Sequence, residues 1–139
     1  MKLLQLNFLP RSTDLALLVL RVWLGLTLLL NHGWEKLTTF SAHVDRFADP
    51  LGVGRPLSLS LAVFAEVVCS TLLVLGLWTR LAALVLTVLM SVAFLLVHQR
   101  VLTGPGSGEL AFVYLAGWVT LFMAGGGRFA LDRRLGAAA

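Results

Sequence analysis

Four apolar runs divide this chain: Leu15 to about Leu37, Leu57 to Trp78, Leu81 to His98, and Glu109 to about Gly125. Each approaches the roughly 20 residues that a hydrocarbon core about 30 Å thick demands of a helix. The pattern therefore predicts an all-α fold, a four-helix transmembrane bundle. The connections "TR" and "QRVLTGPGSG" are short, so consecutive helices run antiparallel, up-down-up-down, with both termini on one face. Gly104, Pro105, Gly106 and Gly108 supply turn chemistry in the second connection, and Gly125, Gly126 and Gly127 end the last helix. A cleaved signal peptide is the rival reading of the first run. That run is too long for such a segment, contains Arg21 and lacks a small-x-small cleavage site, so it is read as a mature helix. Between the first two runs, "FSAHVDRFADPLGVGRP" sets Phe40, Val44, Phe47 and Leu51 at helical spacing, with Ser41 as N-cap and Asp49-Pro50 as stop. It reads as an interfacial helix over the outer mouth of the bundle or, equally plainly, as an irregular polar loop.

Composition leaves no room for a soluble domain beside these runs. The 139 residues are 58% hydrophobic and 13% charged, with a mean hydropathy of +0.90, which marks a single-domain membrane protein. A lone cysteine, Cys69, excludes an intramolecular disulfide and reads as a small packing residue. The net charge of +4 does not point to nucleic acid, because the basic residues are scattered between apolar runs. The terminal face carries Lys2, Arg11, Arg80, Arg128, Arg133 and Arg134 against Asp14 and Asp132. The opposite face carries Lys36, Arg46, Arg55 and Arg100 against Glu35, Asp45, Asp49 and Glu109. This asymmetry predicts a multi-pass protein of the inner (plasma) membrane with both termini cytoplasmic.

The first run ends in "LLLNHGWEKL", where lipid-soluble leucine gives way to charge. At about 100° per residue, Arg21, Gly25, Leu28, His32, Glu35 and Lys36 share one stripe, which the cost of charge in hydrocarbon turns toward partner helices. In the second run Glu66 sits mid-membrane among Ala62, Cys69 and Ser70, small residues that let helices approach. Counted along each helix, Arg21 lies about 12 Å deep and Glu66 about 18 Å, which predicts an Arg21–Glu66 structural ion pair. The competing expectation is that Arg21 snorkels to the surface and Glu66 is protonated. Thr87, Ser91, Phe94 and His98 line the third run, and Glu109, Val113, Ala116 and Thr120 the fourth. His32, Glu35, Lys36, His98 and Glu109 thus reach one depth, predicting a shared outer-leaflet pocket.

Three chemistries suit such a pocket. In the first, a quinone-like redox ligand is held there: His32, Glu35, His98 and Glu109 are the candidate catalytic proton carriers, and Trp34, Lys36 and Tyr114 bind the ligand. Trp118 is a further aromatic wall. With no electron donor of its own, the chain then needs a partner oxidoreductase subunit or a bound cofactor. In the second, His32 and His98, on diagonal helices, ligate haem or a metal. "HGWE" reverses the Glu-x-x-His pattern of di-iron bundles and occurs once, which argues against a di-iron centre. In the third, Trp34, Lys36 and their neighbours are membrane-boundary anchors and the chain is a non-catalytic scaffold or assembly subunit.

Taken in order, "LRVWLGLTLLLNHGWEKL", "AEVVCSTLLVLGLWTRLAAL", the His98 that closes "AFLLVH", "ELAFVYLAG" and "GGGRFALD" resemble the DoxX family of small bacterial and archaeal membrane proteins. The resemblance covers residues 15 to about 132. It implies a four-helix membrane protein and falls on Arg21, His32, Gly33, Lys36, Glu66, Gly76, Thr79, Arg80, His98, Glu109 and Tyr114. Family members are similar to the small subunit of an archaeal thiosulfate:quinone oxidoreductase, and others are tied to oxidative or quinone stress. The chain departs from the family pattern at Cys69 and Ser70, where glycine is common, and at Gly126, where proline is common.

Overall fold

A computed structural model describes residues 12–136. Within them every regular element is helical. Of the terminal-face cations predicted from sequence, Lys2 and Arg11 lie outside the described residues. Six helices follow one another: α1 (Thr13–Thr38), α2 (Phe40–Val44), α3 (Arg55–Leu75), α4 (Thr79–Val97), α5 (Glu109–Ala124) and α6 (Leu131–Arg134). Helices α1, α3 and α4 are long and apolar enough to cross a membrane. With 16 residues α5 is shorter, about 24 Å at 1.5 Å per residue.

Local signals explain the helix ends. The Ser12 hydroxyl accepts from the N–H of Leu15 at 3.2 Å and caps α1, with Asp14 complementing the helix dipole in the first turn. Gly76, at φ 74°, ends α3 in the left-handed conformation, and the N–H of Leu77 closes back on the carbonyl of Leu72. The following turn is only three residues long, so α3 and α4 pack as an antiparallel pair.

Contacts run in a ring, α1 against α3, α3 against α4, α4 against α5, and α5 against α1. Small residues set the closest approach. A Cβ on Gly25 would come within 2.8 Å of Val74, and one on Gly33 within 2.8 Å of the Glu66 carbonyl. These two glycines fix an antiparallel register in which residue 25 of α1 lies level with 70–74 of α3, and residue 33 with 66. The core fills with Leu28, Leu73, Leu86, Trp118 and Leu121. Trp23 and Met123, each more than 70% exposed, face outward as lipid-facing residues do.

The segment before α3 departs from the interfacial-helix expectation. Only Phe40–Val44 is helical, and Ser41 lies inside that helix, with Thr39 at its N-cap. Asp49 does not stop a helix. Its carboxylate accepts from the N–H groups of Val53 (3.1 Å) and Gly54 (2.8 Å) and from the Ser58 hydroxyl (2.7 Å), folding the loop onto the start of α3. Phe47 and Leu51 belong to this loop, which crosses one end of the ring.

Candidate functional site

Three of the long helices change their winding near the same level. Backbone hydrogen bonding widens from α to π over Leu29–Gly33 in α1, Phe64–Cys69 in α3 and Ala93–Val97 in α4. Such bulges re-aim side chains and are frequent at functional sites. His32 and Glu66 stand within two of them, and His98 directly follows the third.

These side chains border one cavity of about 780 Å³, lined by His32, Lys36, Glu66, His98 and Tyr114 among mostly apolar neighbours. That volume suits a ligand of drug or cofactor size. Leu61 and Phe64 of α3 and Leu84 and Val88 of α4 also line it while being exposed on the outer surface. The cavity therefore opens sideways between α3 and α4. Phe47, Pro50 and Leu51 of the Asp49 loop close its end.

Lys36 donates to both carboxylate oxygens of Glu66, at 2.8 and 2.6 Å. The side chains are 20% and 9% exposed, so this charge-assisted pair is shielded from bulk water. The His32 ring stands edge-on to Tyr114, with centroids 6.5 Å apart, and Tyr114 stacks on the buried Trp118 at 5.7 Å. His98 Nδ1 lies 2.8 Å from the carbonyl oxygen of Gly106. Since a carbonyl only accepts, that nitrogen carries the proton, which leaves Nε2 for other partners. Gly108 makes this fold-over feasible, because a Cβ there would come 2.7 Å from that of His98.

Four of the residues predicted for the pocket come together, His32, Lys36, His98 and Tyr114, and Glu66, expected only as a structural ion-pair residue, joins them. Three others do not. Trp34 follows His32 by two positions, about 200° around the helix, and is exposed. Glu35 is exposed beside His43, with 3.8 Å between Oε1 and Nε2. Glu109 opens α5 at the surface. None of the three lines the cavity. Among the described residues no three His, Cys, Asp or Glu side chains gather as a metal-ligating group.

The Arg21–Glu66 ion pair expected from sequence is not formed. The Gly33–Glu66 contact places Glu66 twelve residues along α1 from Arg21, about 18 Å and beyond an arginine's reach. Arg21 leans toward the N-terminus of α1, as helical side chains do. Its Nη1 donates to the carbonyls of Leu73 and Val74, both at 3.0 Å, and its Nη2 to that of Phe129 at 2.8 Å; Nε has no partner. Leu73 and Val74 are in the last turn of α3, where carbonyls lack intrahelical donors. The buried guanidinium is a helix C-cap that also ties down the chain after α5. The sequence signal for the true partner of Glu66 was Gly33: a glycine three residues before Lys36 lets α1 approach α3 at that level.

The sequence matches the DoxX family over residues 16–99, more than half of the chain. It is also similar to an uncharacterized protein of Haemophilus influenzae, 32% identical over 137 residues that span 93% of this chain and 97% of that one. No solved structure matches. With its apolar helices and this match, the chain is an integral membrane protein that belongs to the DoxX family.

Proposed function

We propose that the cavity binds a lipophilic redox ring of the quinone class, drawn from the bilayer, and manages its protons as the membrane subunit of an oxidoreductase system. The observation that carries this reading is the convergence of five titratable side chains from all four ring helices on one apolar, sideways-open cavity. A soluble substrate has no need of a lateral entrance between α3 and α4; a bilayer-dissolved one does. Reduction of a quinone consumes two electrons and two protons, so electrons come from a partner oxidoreductase and protons from the chain. His32 is suited to donate to a ring carbonyl, and His98, whose Nδ1 proton is committed to Gly106, donates from Nε2 as the imidazolium or accepts there from a hydroquinone hydroxyl. Lys36, held by Glu66, stabilises an anionic reduced form, and Tyr114 with Trp118 offers a stacking wall. Glu35 and Glu109, outside the cavity, exchange protons with water on that side. In this reading the helices cross the inner membrane up-down-up-down, with the termini cytoplasmic and the cavity in the outer leaflet.

The test is binding of a short-chain ubiquinone analogue to the purified protein in nanodiscs. Saturable binding that falls at least tenfold in the His32→Ala/His98→Ala variant is expected. Unchanged binding in that variant removes the proposed roles, and no binding together with a co-purifying partner favours a scaffold subunit.

A further inference from the structure

The geometry points to a second binding site, for the headgroup of an anionic phospholipid, at the turn between α3 and α4. Because α3 and α4 are both long enough to span, this turn marks a membrane boundary. A cavity of about 310 Å³ lies against it, bordered by Trp78, Thr79, Arg80, Leu81, Asp132 and Arg133. It is separate from the quinone-type cavity and shares no lining residue with it.

Charge in this region is unbalanced. Asp132 is engaged by the turn itself, accepting from the N–H groups of Trp78 (2.6 Å) and Thr79 (2.9 Å) and from the Thr79 hydroxyl (3.0 Å). Asp14 is engaged by Arg128, through its N–H at 2.8 Å and its Nε at 3.7 Å. Arg80, Arg133 and Arg134 have no carboxylate within ion-pair distance among the described residues. Arg80 spends one N–H on the Met123 carbonyl at 3.0 Å, leaving other donors for an anion.

The turn also presents an apolar surface. Trp78 adopts φ 46°, a conformation bulky residues seldom take, and Asp132 holds it there. The result is a tryptophan 67% exposed beside Leu81, itself 59% exposed, on the lipid-facing side of the α4 start. An aromatic ring at the boundary, an acyl-contacting leucine and two arginines at one cavity match an anionic phospholipid: phosphate between Arg80 and Arg133, acyl chain along Trp78 and Leu81. A free phosphate would use the arginines and leave the apolar half without a role.

Delipidated full-length protein in detergent is mixed with phosphatidylglycerol, phosphatidylcholine or inorganic phosphate, and adducts are counted by native mass spectrometry. Phosphatidylglycerol is expected to be retained about tenfold or more over phosphatidylcholine. Arg80→Gln/Arg133→Gln is expected to abolish that preference, while Arg80→Lys/Arg133→Lys keeps most of it and controls for folding. Equal retention of the two lipids, or an unchanged preference in the glutamine variant, overturns the site. Displacement of phosphatidylglycerol by millimolar phosphate makes it a soluble-anion site and overturns the lipid assignment. His32→Ala is expected to leave the preference intact, so failure here and failure of the quinone reading are told apart.

Discussion

Helix α1 carries two inward-facing polar regions on one stripe, and they are built in opposite ways. At Arg21 the guanidinium meets three backbone carbonyls in a packed setting: a Cβ on Gly76 would collide with Nη1 and come within 2.7 Å of the Ala130 backbone. At His32 and Lys36, eleven to fifteen residues on, the partners are side chains and the surroundings are a large cavity. A charge held by backbone carbonyls has no lower-energy alternative and acts as a fastening. A charge held by another side chain beside open volume can be shared with a ligand. The same cost of charge in hydrocarbon thus yields a structural joint at one end and a candidate reaction site at the other.

The contrast can be broken at its rigid end first. Arg21→Leu strands three carbonyls, and Gly76→Ala forces a left-handed alanine into Arg21. Each is expected to cost roughly 3–5 kcal/mol, read as a lowered unfolding temperature by circular dichroism in detergent. If either variant unfolds like the parent protein, the fastening account is wrong. The open end responds less. Lys36→Met or Glu66→Leu alone is expected to cost about 2 kcal/mol, reduced from fully buried values because Lys36 keeps one-fifth of its side chain exposed. The double variant regains most of that loss while losing quinone affinity. Recovery of both properties would show that the pair is structural only.

The smallest effect lies outside the membrane. The Ser58 hydroxyl, foremost, and the backbone N–H groups of Gly54 and Val53 hold the Asp49 carboxyl below its usual pKa. A carboxyl with a depressed folded-state pKa contributes stability that is complete above the unfolded value of about 3.9 and lost as pH falls through the lower folded value. Asp49→Asn should therefore flatten the acid limb of a stability-versus-pH curve below about pH 4 and leave its shape unchanged at pH 7. An unchanged acid limb would remove Asp49 as its source.

Hydropathy made the membrane helices legible, with ends displaced by only a few residues, because bilayer thickness imposes length directly. The convergence of His32, Lys36 and His98 was legible for the same reason: lipid sorts ionisable residues inward, while Tyr114 was expected only as an aromatic wall. Register was not. Counting depth from helix ends put Arg21 near Glu66, whereas the close contacts of Gly25 and Gly33 slide α3 until Lys36 meets that carboxylate. The π-widened stretches were invisible as well, since no local motif in the sequence marks them. Glu35 and Glu109 looked equivalent to the histidines by depth alone; facing and helix position set them outside.

Photolabelling in bilayers tests the central claim most directly. A photoreactive quinone incorporated into nanodiscs with the protein, activated and mapped by peptide mass spectrometry, should label Phe64, Val88, Tyr114 or their immediate cavity neighbours, and excess unlabelled quinone should suppress that labelling. Labelling spread over outward residues such as Trp23 and Met123, insensitive to competitor, would mean that the ring meets only the lipid face and that the cavity is not its site.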